Sequence, residues 1–312
     1  IGIKMEKEKK TVLLTGATGF IGSAVLKEFI SSGYHVIVLL RSLSNTKRLN
    51  GLKGFESVIY ENLNDENLIR ELRIKKPSIF LQMAWSGVSG KYRNELFQIR
   101  DNLSLTINSV ELAVATGCTH WIGIGSQAEY GNQNRRVNEK SPIEPTTIYG
   151  KIKVACCWAA LGLCHAHNLK GTWLRLFDPY GPGDNPTWFI PYLIKEMLRG
   201  NAPELTLCEQ LWDYIYIDDV AKANKMVVET GTGGIYNLGS GKAVSLKSVV
   251  EIIRHLLNID IHPVYGAVDY RPDQVMHLQA DISKLTNATG WVPIVELEDG
   301  LKKTVESFRS IY

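Results

Sequence analysis

The chain has 312 residues, 45% hydrophobic and 21% charged, the composition of a soluble globular protein with ample length for a real core in one large domain or two intimately joined ones. A formal net charge of +3 is too small to imply a nucleic-acid or membrane partner. No apolar run reaches about 18 residues and no signal-peptide pattern opens the chain, so a cytoplasmic location is expected. Met5 reads as a native start, and Ile1 to Lys4 are not expected to belong to the fold. The cysteines, Cys118, Cys156, Cys157, Cys164 and Cys208, form no Cys-x-x-Cys pair. Three of them share one apolar helical stretch, so buried free thiols are expected, and no metal site.

In chain order, the apolar run Val12-Leu-Leu14 gives way to Gly16, Gly19 and Gly22, and then to a helical pattern carrying Ile21, Val25, Leu26 and Phe29 on one side. Strand, glycine turn and helix in that order form the context of a dinucleotide fingerprint. Gly16 permits the sharp turn, Gly19 lets backbone N–H groups approach a pyrophosphate, and Gly22 lets the helix lie tight on the sheet. The spacing is Gly-x-x-Gly-x-x-Gly rather than the commoner Gly-x-Gly-x-x-Gly. A buried strand is expected over 35–40, followed by a polar loop, 41–54, with Arg41, Lys47 and Arg48. Further strands are expected over 57–60, 78–83, 119–124 and 171–176, the fourth of these five expected strands reaching Gly125 and Ser126 at its end. Helices are expected after Asp65, over 95–116 and over 149–168. Strands alternating with helices imply a parallel, doubly wound α/β sheet. Beyond Pro179 the elements become shorter. A helix is expected over 189–198, with returns to the sheet over 213–217 and 234–238, and smaller elements over 249–257 and 297–308.

Tyr149-Gly-Lys-Ile-Lys153 places a phenol and an ammonium four residues apart on one helix face. A phenol of ordinary pKa, about 10, is a poor proton-transfer group at neutral pH. A nearby lysine cation lowers that pKa. Ser126, at a strand end, offers a hydrogen bond to the oxygen that the tyrosine protonates.

With these residues the chain resembles the extended short-chain dehydrogenase/reductase family of nucleotide-sugar epimerases, dehydratases and reductases. The resemblance runs through Thr15-Gly-Ala-Thr-Gly-Phe-Ile-Gly22, Asn102, Ser126 ahead of Tyr130-Gly131, and Tyr149-x-x-x-Lys153. It continues through Tyr180-Gly-Pro-Gly183, Asp213-Tyr-Ile-Tyr-Ile-Asp-Asp-Val220, Asn237-Leu-Gly-Ser-Gly241, Arg271-Pro and Gly290-Trp-Val-Pro293. It implies a Rossmann-type dinucleotide-binding domain over 10–178, with returns near 213–240. Segments 179–212 and 241–312 then form a smaller α/β lid that binds a nucleotide-diphosphate sugar. Tyr149 is implied as acid/base, Lys153 as the holder of the nicotinamide ribose and Ser126 as the group orienting the substrate oxygen. The implied cofactor contacts are Gly16, Thr18, Gly19, Phe20, Ile21, Gly22, Arg41, Asn62, Leu63, Met83, Ala84, Asn102, Tyr149, Lys153, Pro179 and Tyr180. Trp85, Ser86, Ser126, Gln127, Asp178 and Arg271 are implied for the substrate, with Arg271 as the phosphate clamp.

Several positions depart from the family pattern. The second strand ends in Arg41 rather than the carboxylate that pairs with adenosine ribose hydroxyls. Arg41 suits a 2′-phosphate, so NADP(H) is favoured and NAD(H) remains possible. Gln127 and Ala128 replace the acidic pair of the dehydratases, so elimination is not expected, and Glu129 reads as structural. Gln82 stands for His, Asn62 for Asp, Asp178 for Asn and Trp212 for Arg. The blocks around 189–193, 209–220 and 265–271 look most like reductases that make dideoxy sugars by reducing a 4-keto group with NADPH. The loop Trp85-Ser-Gly-Val-Ser89 would then touch the sugar. A nucleotide-sugar 4-epimerase using the same residues is the alternative, and a non-catalytic cofactor-binding protein is a second one. A homodimer through the two long helices is also expected.

Overall fold

A computed structural model describes residues 10–271 and 274–309; Met5 and the Pro272 of the Arg271-Pro motif lie outside the described residues. The first half runs β1 (Thr11–Thr15), α1 (Phe20–Ser31), β2 (His35–Arg41), β3 (Phe55–Tyr60), α2 (Glu66–Ile74), β4 (Ile79–Gln82), α3 (Phe97–Thr116) and β5 (His120–Ser126). Then come β6 (Arg135–Val137), α4 (Ile148–Ala166), β7 (Lys170–Leu176), β8 (Pro179–Tyr180), α5 (Phe189–Leu198) and β9 (Glu204–Leu205). The last part holds β10 (Leu211–Trp212), β11 (Ile215–Tyr216), α6 (Ile217–Thr230), β12 (Gly234–Leu238), β13 (Val244–Ser245) and α7 (Leu246–Leu257). It ends with β14 (Val264–Tyr265), β15 (His277–Ala280), α8 (Ser283–Thr289) and α9 (Leu297–Arg309).

Among the described residues the main sheet has seven parallel strands in the order β12-β7-β5-β4-β1-β2-β3. The central strands β1, β2 and β4 carry unbroken buried apolar runs because both faces are covered there. Val12, Leu14, Val36 and Val38 enter the core with α1 and α6, whereas Leu13, Ile37 and Leu39 enter the opposite core with α2, α3 and α4. That alternation is the period-two geometry of a strand. The order reverses between β1 and β4, which opens a crevice outside their carboxyl ends.

The expected return at 234–238 is the edge strand β12. The one expected at 213–217 is not in this sheet. Ile215 and Tyr216 pair instead with Pro179 and Tyr180 in a two-stranded ribbon, and α6 begins at Ile217. The aromatic and β-branched run there does form strand, but only for two residues. Asp213, just before it, is fully buried and accepts hydrogen bonds from the backbone N–H groups of Ser240, Gly241 and Ala280 and from the Ser240 hydroxyl. The cysteines are all free and buried. Among the described residues no helix is long and apolar enough to cross a membrane, and no cluster of His, Cys, Asp and Glu is placed to hold a metal.

Candidate active site

The glycine turn after β1 has the shape that the sequence requires of it. Gly16 sits at φ +72°, and a Cβ there would lie 2.5 Å from the Ala84 backbone nitrogen. A Cβ on Gly22 would run into the carbonyl oxygen of Gly16. Helix α1 starts from Gly19 with no side-chain cap and no acidic residue in its first turn. Its N-terminal donors therefore suit an anion, and the close approach of β1, β4 and α1 leaves a cradle that side chains would fill. These residues fit a dinucleotide pyrophosphate.

The turn opens into a cleft of about 840 Å³. Gly16, Thr18, Gly19, Phe20, Ile21 and Gly22 line it, with Arg41, Asn62 and Leu63 from the ends of β2 and β3. Met83, Ala84, Trp85 and Ser86 line it after β4; Ser126 and Gln127 after β5; Tyr149 and Lys153 from α4; Asp178, Pro179 and Tyr180 after β7; and Arg271 from the last third of the chain. The structure thus gathers into one cleft every site residue expected from the sequence except Asn102. Asn102 is fully buried. Its amide accepts from the Ser86 N–H at 2.8 Å and donates to the Ser86 carbonyl at 3.1 Å, so it anchors the loop after β4 from behind.

Ser126 ends β5 in an extended conformation and begins a capping box. Its hydroxyl accepts from the Ala128 N–H at 3.1 Å, and the Glu129 carboxylate accepts from the Ser126 N–H at 3.0 Å. Glu129 also accepts from Trp173 Nε1 at 2.8 Å and from Arg175 Nε at 2.7 Å, at zero exposure. It is a structural carboxylate, as the sequence implied.

Thr147 caps α4 by accepting from the Gly150 N–H, which places Tyr149 in the first turn. The Tyr149 phenol is pushed up by burial, while a hydrogen bond to Ser126 and the Arg93 cation pull it down. Arg93 lies 5.4 Å from the centre of the Tyr149 ring. The sequence pointed to Lys153 as the cation beside the phenol; Arg93, which it passed over, faces the same ring and also pulls the phenol down. Lys153 is buried, and its Nζ donates to the Ile124 carbonyl at 2.7 Å. It lies 3.4 Å from the centre of the Trp85 ring and 5.8 Å from that of Tyr149. Burial pulls the ammonium down to about 7, against the opposing pull of Cys156 and Glu129.

The same wall holds polar groups that the sequence reading passed over. Arg93, Tyr214 and Asp184 line the cleft. Arg93 Nε, the Tyr214 hydroxyl and Asp178 Oδ2 are buried without a hydrogen-bond partner among the described residues. Burial lifts the Asp178 carboxyl to about 7 against Arg93, with Asp213 adding to the rise. Arg48 also lines the cleft and donates to the carbonyls of Thr18 and Gly183 at 3.2 and 2.9 Å, spanning from the glycine turn to the loop after β8. Gln82 serves the frame: it accepts from the Thr15 hydroxyl and donates to the Ala84 carbonyl. Trp212 Nε1 is engaged by the Val275 carbonyl.

The NAD dependent epimerase/dehydratase family matches residues 12–239. The chain belongs to that family. CDP-abequose synthase of Salmonella muenchen is 29% identical over 304 residues, covering 94% of this chain and 96% of that protein. The UDP-N-acetylglucosamine 4-epimerase of Methanobrevibacter ruminantium M1, solved in complex with UDP-N-acetylmuramic acid, superposes with a TM-score of 0.88 at 27% identity, covering 98% of this chain and 100% of that one. The UDP-glucose 4-epimerase of Thermus thermophilus, solved in complex with NAD, gives 0.83 at 26% identity, covering 97% and 100%. Within the family, a CDP-sugar synthase and 4-epimerases are thus similar to this chain to nearly the same degree.

Proposed function

We propose that the protein reduces the 4-keto group of a nucleotide-activated deoxyhexose with NADPH. A nicotinamide cofactor, when bound, supplies the hydride. The residues of this chain do the rest. The glycine turn and the α1 N-terminus hold the pyrophosphate. Tyr149 delivers a proton to the substrate oxygen, Ser126 orients that oxygen, and Lys153 keeps a positive charge beside both the phenol and the nicotinamide ribose. Gln127 and Ala128 are not proton acceptors of useful pKa, so nothing beside Ser126 assists removal of water. Arg271 and the polar wall of Arg93, Asp178 and Tyr214 face the nucleotide sugar, in keeping with the substrates named for the similar proteins.

The observation that carries reduction over epimerisation is Arg41. It closes β2 where a carboxylate would hold the ribose hydroxyls of a permanently bound NAD, and it stands exposed on the cleft rim. An arginine there favours a 2′-phosphate and thus a cofactor that is consumed and exchanged. The likeness to 4-epimerases supports a second reading, in which the same centre returns the hydride to the other face of C4. A panel of CDP-, dTDP-, GDP- and UDP-linked 4-keto-6-deoxy sugars, each incubated with NADPH or NADH, separates the two. A reductase oxidises one equivalent of NADPH per sugar. An epimerase leaves free NADPH untouched, carries tightly bound nicotinamide through purification and interconverts 4-hydroxy sugars.

Arg41→Ala is expected to weaken NADPH binding about 10- to 100-fold, the worth of one charge-assisted hydrogen-bonded pair, and to leave NADH binding unchanged. Fluorescence titration of both cofactors checks it. Equal weakening of the two would remove the argument for NADPH. The resemblance also implies pairing of two copies through α3 and α4, where Trp158 stands 61% exposed.

A further inference from the structure

The buried ammonium of Lys153 lies among few polar partners. Its hydrogen bond within the protein goes to the Ile124 carbonyl. Among the described residues no carboxylate forms an ion pair with it; the nearby Glu129 is held by Arg175. What covers it instead is an indole: Trp85 presents its ring 3.4 Å from Nζ, well inside the range of a cation–π contact, with the Trp173 ring farther away at 5.8 Å. Trp85 also meets the Tyr149 ring edge-on at 5.8 Å.

Trp85 is not free to leave. Its Nε1 donates to Gln98 Oε1 at 3.1 Å. Gln98 is fully buried, and its amide donates to the carbonyls of Gly87 at 2.6 Å and Tyr92 at 3.1 Å. Asn102 donates to the same Gln98 oxygen at 3.0 Å and grips Ser86 through both of its backbone groups. Two amides one turn apart on α3 therefore fix the loop that carries the indole. The fully used hydrogen-bond capacity of Gln98 leaves it little room to rearrange.

We propose that Trp85 is a positioning residue for Lys153: its indole face, pinned by Gln98 and Asn102, holds the ammonium charged and directs its remaining N–H toward the cleft. The inference rests on the reading of Ser126, Tyr149 and Lys153 as the reaction centre. The aromatic face replaces the carboxylate that would otherwise balance a buried cation. A carboxylate would draw the ammonium away from the cleft, whereas an indole holds it without taking a directed hydrogen bond. The titratable and charged groups facing this ammonium and its phenol are Tyr149 and Cys156 on α4, Glu129 after β5, Arg93 before α3 and Asp178 after β7. Burial lifts the Cys156 thiol, against the opposing pulls of Thr106 and the Lys153 cation.

The test needs no sugar substrate. NADPH affinity is measured by fluorescence from slightly acidic to alkaline pH for the wild type, Lys153→Met, Trp85→Leu, Trp85→Phe and Gln98→Met. The wild type is expected to lose affinity as Lys153 gives up its proton, and Lys153→Met, which has no amine to titrate, marks the baseline. Trp85→Leu keeps an apolar side chain but removes the π face, so the break in affinity should move down by about one pH unit. Trp85→Phe keeps an aromatic face and should restore most of that shift. Gln98→Met keeps the indole but loosens it, and should shift the break in the same direction by less. Melting curves identify any variant that has lost its fold, and the two milder variants still decide the question if Trp85→Leu has. A break at the same pH in every folded variant overturns the inference, as does wild-type binding that matches Lys153→Met at all pH values. A wild type that binds neither NADPH nor NADH instead overturns the reading of the cleft itself.

Discussion

Tyr149→Phe is expected to lower turnover about 10²- to 10⁴-fold while leaving NADPH binding nearly intact, the loss typical of removing one proton-transfer group. The phenyl ring keeps the edge-on contact with Trp85 and the place beneath Arg93, so the cleft retains its shape. What disappears is the hydroxyl, on a residue that lines the cleft together with Ser126 at the end of β5. Burial outweighs Ser126 and Arg93 and pushes the phenol up, the reverse of the lowering expected from the sequence, so it holds its proton at neutral pH and is available as a donor. Lys153 is held down to about 7, so its charge fades as pH rises through neutrality. Reduction should therefore decline on the alkaline side, with Lys153→Met showing a low rate and no such decline. Steady-state kinetics with the active sugar from the panel, together with NADPH titration, checks both statements. A Tyr149→Phe variant with wild-type turnover would show that another group delivers the proton.

The sheet and the glycine turn were legible because they depend on local pattern. Unbroken apolar runs such as 36–39 require cover on both faces, and Gly16, Gly19 and Gly22 each meet a separate steric demand. The site was legible where spacing alone fixes a face, as for Tyr149 and Lys153, one helical turn apart. Direction was not. Lys153 turns its amine to the Ile124 carbonyl and the Trp85 ring, and a second cation, Arg93, from a loop more than fifty residues away in sequence, also faces the Tyr149 ring. Asn102 stands out in the sequence, but its amide is spent on the Ser86 backbone. Gln98 was missed although a signal existed. Gln98, Asn102, Thr106 and Ser109 place polar side chains at helical spacing, and all four are buried on α3. A polar stripe facing inward marks a helix that holds loops and neighbouring side chains by hydrogen bonds rather than by apolar packing alone. Ser109, for example, accepts from Trp121 Nε1. The error at 213–217 has a similar cause. The run Tyr214-Ile-Tyr-Ile217 has strand composition, but its hydrogen-bond partner is a segment that only the fold brings near.

Glu129→Ala is expected to be the most damaging substitution outside the cleft, at about 3–5 kcal/mol, the cost of leaving one member of a buried ion pair alone. Glu129 and Arg175 are almost wholly sealed from solvent and meet at 2.7 Å. Removing the carboxylate abandons three donors together: Arg175 Nε, Trp173 Nε1 and the Ser126 N–H. Arg175 would keep its bond to the Tyr130 hydroxyl at 3.0 Å, and Tyr130 its bond to Asn237 at 2.6 Å, but a phenol does not balance a buried guanidinium. Against a typical stability of about 5–15 kcal/mol, such a loss lowers the denaturation midpoint sharply. Glu129→Gln/Arg175→Met, which removes both charges and keeps an amide oxygen for Ser126, should recover a large part of the loss, because no uncompensated ion remains inside. Urea unfolding of the three proteins checks this order. The double variant also separates stability from chemistry. Its amide still accepts from the Ser126 N–H, so Ser126 should keep its place and NADPH oxidation should return with the fold. If Glu129→Ala unfolds at the wild-type midpoint, the buried pair is not what holds the end of β5. If the double variant is as unstable as Glu129→Ala, the cost lies in lost packing rather than in the stranded charge.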